Sequence, residues 1–245
     1  ASGMVAFDRA PAGNDVLLRG AQWTEDGRSG GGLHFAGRDS DEYAVIGHDE
    51  ALQLQPPFTI QLAWRPEGHG VRMLFRKARS RDRFTVYAYA TQRLVRFIVV
   101  DAGGEKYMAQ CDNPGGGAWH HFAFRCGEGA VSIVIDGEVR ASTEMTSDTL
   151  YTDASPLLIG TYRPGYEHSL AGTIDDLCIS DTLLAPGELE PELERARALE
   201  APAISAREFD SEAGGIVLAK NGAPGAIIVI AEDADQLAKF KEVRD

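Results

Sequence analysis

Phe58-Thr59-Ile60-Gln61-Leu62-Ala63-Trp64 decides the fold class. Apolar Phe58, Ile60, Leu62 and Trp64 alternate with Thr59, Gln61 and Ala63, the period of two that sends successive side chains to opposite faces of a strand. The alternation returns downstream in Phe84, Val86 and Ala88 against Thr85, Tyr87 and Tyr89. Val131-Ser132-Ile133-Val134-Ile135 then runs into Asp136-Gly137, a pair favoured by type I′ hairpin turns. Other short runs bounded by Gly, Pro, Asp and Asn lie at 32–37, 42–47, 72–77, 94–101, 106–111, 119–126, 157–162 and 172–180. No long stretch within 1–181 has a helical period. Many short strands at this spacing predict an all-β sandwich or barrel.

The first helical pattern comes afterwards. Leu189, Leu193, Ala196 and Leu199 fall on one stripe, and Pro191 suits the first turn. The spacing predicts a short helix over 186–199 that packs on the edge of the sandwich. Residues 200–213 read as a linker. Ile216–Ala219 and Ala226–Ile230 flank Asn221-Gly222-Ala223-Pro224-Gly225 and predict a β-hairpin, with a helix from about Asp233. A hairpin and one helix cannot bury a core, so 214–245 is expected to begin a second domain. The expected organisation is 1–199, a linker at 200–213, and 214–245.

Composition narrows the function. The chain has 245 residues and a formal net charge of −13. Such an acidic balance disfavours nucleic acid, whose phosphates need clustered Lys and Arg. Apolar runs such as Ala226–Ala231 are too short to insert in a membrane. Ala1-Ser2-Gly3-Met4 has neither the charged nor the apolar region of a secretory signal. Cys111, Cys126 and Cys178 leave room for one bridge, Cys111 with Cys126, and a spare thiol.

Gly27-Arg28-Ser29-Gly30-Gly31 matches the G-x-S-x-G nucleophile elbow in letters only. An elbow needs a strand before it and a helix after it; here Thr24–Asp26 precede and strand-like Leu33–Phe35 follows, so a loop is expected. Glu188, Glu190, Glu192 and Glu194 alternate, but a helix fans them around its axis and favours them at its start. His120 and His121 are adjacent on a strand, point to opposite faces and cannot share a metal ion; one is expected in the core and one in solvent. Tyr87 and Tyr89, with Tyr162 and Tyr166 downstream, are candidates for a sugar-stacking surface, because pyranose C–H faces are apolar. Arg65 or Gln61, expected on a neighbouring strand, would bond sugar hydroxyls.

In order along the chain come Val5-Ala6-Phe7-Asp8, Gly30-Gly31-Gly32-Leu33-His34-Phe35-Ala36-Gly37, Asp41-Glu42-Tyr43, Phe58–Trp64, Trp119-His120-His121-Phe122-Ala123, Val134–Val139, Leu158-Ile159-Gly160 and Gly172–Ile179. This series resembles the laminin-G-like, concanavalin A-like lectin/glucanase domains over residues 4–199. The resemblance implies a two-sheet antiparallel jelly-roll sandwich that binds rather than catalyses, is secreted or on the cell surface, and commonly carries calcium. Asp8, Asp41 and Asp176 lie at family-matching positions and are its implied ligands. Arg38-Asp39-Ser40 lengthens the loop before Asp41, and Cys178 stands where the family often has Arg. The Glu-x-Asp-x-Glu string of the family's glucanases does not occur, so no catalytic residue is assigned. Residues 214–245 resemble the opening of the N-terminal domain of α-glucuronidase-like glycoside hydrolases. The expected function is a carbohydrate-binding accessory module of a larger secreted glycan-processing protein, linked to a catalytic domain. An interaction or spacer domain without a sugar site, and a divergent glycoside hydrolase or lyase, are the alternatives.

Overall fold

A computed structural model describes residues 5–6, 8, 14–37, 40, 42–80, 83–163 and 169–198, with three short strands at 204–206, 217–220 and 228–229. The chain divides into two units, Ala1–Leu199 and Glu200–Asp245. In the first unit the strands are, in order, β1 (Val5–Ala6), β2 (Val16–Arg19), β3 (Gln22–Thr24), β4 (Gly32–Ala36) and β5 (Tyr43–Ile46). A 3-10 turn at Glu50–Leu52 leads to β6 (Phe58–Pro66), β7 (Arg72–Ser80), β8 (Arg83–Ala90), β9 (Leu94–Val100) and β10 (Lys106–Asp112). Then come β11 (His120–Gly127), β12 (Ala130–Ile135), β13 (Glu138–Glu144), β14 (Leu157–Ile159) and β15 (Ala171–Ser180). A 3-10 turn at Pro186–Glu188 runs into helix α1 (Leu189–Ala198).

The strands form two antiparallel sheets, as the alternation predicted. Sheet A has the order β1-β2-β5-β14-β7-β8-β9-β10, and sheet B the order β13-β12-β11-β6-β15-β4-β3. Three neighbours in sheet B are joined by two-residue turns. Glu128 (φ 51°) and Gly129 (φ 72°) link β11 to β12, and Asp136 (φ 53°) and Gly137 (φ 80°) link β12 to β13. Positive φ at both central positions is what a type I′ turn requires, and its twist matches the strands it joins.

The core lies between the sheets. From sheet B, Phe58, Ile60, Leu62 and Trp64 face Phe75, Val86, Phe97 and Val99 of sheet A. Phe124 packs edge-on to Phe75, with centroids 5.2 Å apart, and tilted against Phe97 at 5.5 Å. The aromatic centre therefore spans both layers.

Helix α1 departs from its expected place. Leu189 and the preceding Leu184 pack on Ala123 and Val134, which point out of sheet B. The helix thus covers part of the outer face of that sheet rather than an edge. Ala123 and Val134 make this face locally apolar, which is why it needs a cover. The Thr59 hydroxyl donates to the Thr182 carbonyl (2.7 Å) and accepts from the Leu184 N–H (3.0 Å), stitching the lead-in segment to β6. The Glu188 carboxylate accepts from the Ala185 N–H at 2.7 Å and closes the first turn.

The second unit contains an antiparallel sheet of β16 (Ile204–Ala206), β17 (Val217–Lys220) and β18 (Ile228–Val229), with β17 in the centre. The expected hairpin is β17 and β18. Ile204–Ala206 falls inside the segment read as linker, because three residues are too few to show an alternation. The helix expected from Asp233 lies outside the described residues. All three cysteines are free thiols, so the bridge left open between Cys111 and Cys126 is not formed.

Candidate functional site

The two outer faces of the sandwich differ, and the residues expected at one sugar site are divided between them. Tyr87, Tyr89 and Tyr162 belong to the outer face of sheet A. Gln61 and Arg65 belong to β6 of sheet B and point out of the opposite side. They cannot cooperate with the tyrosines, because the thickness of the core separates them. The sequence shows which residues alternate but not which strands pair, and the proposed neighbour strand was assigned to the wrong sheet. Tyr166 lies outside the described residues.

On sheet B, Gln61 is fully buried, and its Oε1 lies 3.0 Å from Nε2 of His121. Arg65 pairs with Asp26 at 2.8 Å, and its guanidinium lies over the Trp119 ring at 5.2 Å. His121 does point outward, yet it is buried, whereas His120 at the sheet margin bonds Asp136 at 2.7 Å. One histidine is buried and the other partly exposed, as expected, but the buried one, His121, lies on the outward face of its strand rather than in the core.

The helical cover of sheet B is fastened by charge. Gly27–Gly31, the segment with elbow letters, is a loop as expected, and its Gly27 N–H donates to the Gly30 carbonyl. The Ser29 N–H donates to Asp175 Oδ2 (2.8 Å) and the Ser29 hydroxyl to Asp176 Oδ2 (3.2 Å). Arg197 of α1 grips both Asp176 oxygens, at 2.9 and 2.6 Å. Glu190 lies 3.2 Å from both Arg28 and Arg197. Bidentate guanidinium–carboxylate pairs are the strong form of such contacts. Asp176 holds a positive φ of 54° at the bulge where β15 slips against β6, which turns its carboxylate towards the arginines.

Of the implied calcium ligands, then, Asp176 is held by two arginines. Asp8 accepts from the Asn14 N–H at 2.8 Å beyond β1 on sheet A. Asp41 lies outside the described residues. Among the described residues no three His, Cys, Asp or Glu side chains converge as a metal site.

Burial holds the His121 imidazole below its ordinary range, the Arg28 charge adds to this, and Glu190, Asp136 and Asp176 oppose it. The sign follows from linkage. Below about pH 6.5 the unfolded chain takes up a proton that the folded chain resists, so this contribution to stability is full above that pH and lost as pH falls through the folded value. His121→Gln should flatten the stability–pH profile of the first unit in that window. Urea midpoints measured from pH 7.5 to 5 check this; parallel profiles for the two proteins would assign the acid sensitivity elsewhere.

The outer face of sheet A carries no helix among the described residues. The register aligns Leu158, Arg76, Tyr87, Ile98 and Met108 in one row across β14, β7, β8, β9 and β10. The next row holds Met73, Tyr89, Arg96 and Gln110. Met73, Tyr87 and Ile98 form a small buried cluster, with Tyr89 and Tyr162 packed against it. Tyr87 is only 9% exposed, and its ring lies parallel to that of Tyr89 at 6.3 Å. With Tyr87 so nearly buried, the exposed aromatic surface of the pair falls to Tyr89. Arg96 lies over the Tyr89 ring at 5.6 Å, and Arg76 over Tyr162 at 5.7 Å. Arg96 also donates from Nη1 to the Tyr89 hydroxyl and from Nε to Gln110 Oε1, both at 2.6 Å. Burial, then the neighbouring Tyr89 and Tyr162, push the Tyr87 phenol up to about 12, so it stays protonated at any physiological pH.

This face thus offers polar edges: a hydroxyl, an amide and guanidinium groups over a greasy floor. Arg76, Arg96 and Gln110 were not singled out in the sequence. The alternation of Leu94, Arg96 and Ile98 marks Arg96 as outward-facing, but only the register puts it between Tyr89 and Gln110.

The sandwich, its order of strands and its sequence signature define the class of protein. The concanavalin A-like lectin/glucanases family, of the laminin G type, matches residues 38–190. The chain belongs to that superfamily. Among curated proteins none matches the chain in sequence. Of similar solved structures, the botulinum neurotoxin serotype G binding domain has a TM-score of 0.64 at 9% identity, covering 93% of this chain and 62% of that one. Domain 4 of AbnA, a GH43 extracellular arabinanase from Geobacillus stearothermophilus in complex with arabinotriose, has a TM-score of 0.55 at 18% identity, covering 71% and 81%. The CBM40 of the Ruminococcus gnavus IT-sialidase, bound to α2,3-sialyllactose, has a TM-score of 0.52 at 16% identity, covering 66% and 96%. At these identities the likeness is one of fold. Nothing among these matches extends the resemblance of 214–245 to α-glucuronidase-like enzymes.

Proposed function

We propose that the first unit is a non-catalytic glycan-binding module and that it binds through the outer face of sheet A. The observation that carries this reading is the asymmetry of the two faces. Part of the outer face of sheet B is covered by α1, while sheet A presents Tyr89, Arg96 and Gln110 in a bonded row beside Tyr162. Sugar ligands in two of the similar structures agree with it. The glutamates that could have suggested catalysis have structural partners: Glu188 with the Ala185 N–H, Glu190 with Arg28 and Arg197, and Glu192 with Arg195. A larger secreted protein with a catalytic domain remains the setting that suits such a module. No helix among the described residues is long and apolar enough to cross a membrane.

A glycan array probed with the intact chain, with and without calcium, tests the reading. Affinities on the order of micromolar to millimolar are expected for so open a face. Tyr89→Phe removes only the hydroxyl that orients Arg96, and should lower affinity several-fold with the melting temperature nearly unchanged. Full affinity in Tyr89→Phe would move the site elsewhere. Silence across the array would favour a protein-interaction domain, a reading supported by the near burial of Tyr87.

A further inference from the structure

The sugar site just proposed has a charge that the chain as a whole lacks. The protein carries a net −13, yet among the charged side chains that the register places on the outer face of sheet A, Arg19, Arg76, Arg96 and Lys106 outnumber Asp112. Arg96 is also held differently from the arginines that form ion pairs. Arg28, Arg65, Arg140, Arg195 and Arg197 each pair with an aspartate or glutamate. Arg96 is oriented by two neutral oxygens, the Tyr89 hydroxyl and the Gln110 amide, and by the Tyr89 ring beneath it. Among the described residues no carboxylate pairs with it.

A guanidinium has five N–H donors. The two bonds to Tyr89 and Gln110 use Nε and one proton of Nη1, which leaves one proton on Nη1 and two on Nη2. A guanidinium presents its N–H groups as a planar fork that suits the two oxygens of a carboxylate. Because Arg96 is already fixed by its neighbours, a ligand need not restrain a flexible side chain, and less binding energy is lost in ordering it. A fixed cation with no carboxylate partner among the described residues, in a mainly basic set on an acidic protein, is an arrangement that selects for negative charge.

We infer that Arg96 is the carboxylate-recognition residue of an acidic-sugar site, so that the ligand of this module is a glycan bearing uronic or sialic acid. The inference rests on the glycan-binding reading above and adds the sign of the ligand. Tyr89 and Gln110 are its positioning residues. Their hydrogen bonds fix the guanidinium plane, and Tyr162 flanks the cluster.

Calorimetric titration of the intact chain with trigalacturonate, α2,3-sialyllactose, neutral arabinotriose, a sulfated galactan oligosaccharide and pentaglutamate tests it. At least one carboxylated sugar should bind ten-fold or more tighter than arabinotriose, with an advantage that shrinks as salt is raised. Arg96→Gln should abolish that advantage, Arg96→Lys should restore only part of it, and Gln110→Ala should reduce it while leaving the melting temperature unchanged. Arg140→Gln, an exposed charge on β13, should change nothing. An acidic preference that survives Arg96→Gln overturns the assignment. So does a preference for arabinotriose, although glycan binding itself would then stand. Preference for the sulfated sugar would overturn the carboxylate. Equal binding of pentaglutamate would make the face a general anion surface and overturn the sugar. Failure of both carboxylated sugars overturns the inference, and the proposed function falls with it only where the glycan array is silent too.

Discussion

Gly172→Ala should cost the first unit about 3–5 kcal/mol, the sum of a strained backbone conformation and a steric clash. Gly172 sits in β15 between β4 and β6, paired with Phe35 on one side and Pro66 on the other. Its φ of 119° is one that residues with a side chain rarely adopt. A Cβ there would lie 2.1 Å from the Arg65 carbonyl oxygen and 3.0 Å from the Glu67 nitrogen. Both are backbone atoms, one in β6 and one just past its end, and cannot swing aside. Relief therefore means parting β15 from β6, the strand pair that also aims Asp176 at its arginines. Gly187→Ala is the matched control, since no atom lies within 4 Å of a Cβ built at that position. Urea unfolding should show a large drop in midpoint for the first variant and a change within about 0.5 kcal/mol for the second. Near-equal midpoints would show that the strand pair yields more easily than its geometry implies.

Phe124→Ala is expected to be comparably severe, at about 3–5 kcal/mol, the usual range for emptying a buried aromatic site. Phe124 is fully buried, and its ring touches Phe75 and Phe97 across the sandwich and lies parallel to Phe122 at 6.3 Å within its own sheet. Its removal leaves a void that both layers line, and neither can close it without shifting a sheet. Phe124→Leu keeps most of the volume and should cost appreciably less. An equal loss for the two variants would point to the ring contacts rather than the filled space.

What the amino-acid order disclosed, and what it concealed, follows one physical line. Period-two alternation and Asp-Gly turns are local, so β6, β8, β12 and the β12–β13 turn were legible, and eight more strands were close to their true bounds. Lys77 was not. Register shifts in β7 send both Leu74 and Phe75 to the core and carry Lys77 inward, where it is 1% exposed and donates to the Leu52 carbonyl. Pairing between distant strands was equally hidden. Tyr87 and Tyr89 were recognisable as outward-facing, but Gln61 and Arg65 were assigned to their neighbourhood although they face the other way. The same limit applies to His121, whose imidazole feels the charges of Arg28 and Glu190, both far from it in the chain. That Gly27–Gly31 is a loop is legible locally, because polar Thr24–Asp26 precede it and a strand follows.

The position of β15 also bears on how the chain is made. The hairpins β8–β9, β9–β10, β11–β12 and β12–β13 close between immediate neighbours, at small entropic cost. β15 is the last strand of the sandwich to leave the ribosome and belongs near the middle of sheet B, between β6 and β4. Until Ser180 emerges, those two strands each display an unpaired edge, the usual template for joining another chain. Such distant pairing slows folding, because loop closure must be paid for before the contact rewards it. The half-synthesised chain, rather than the finished module, is therefore the species that most needs a chaperone during production.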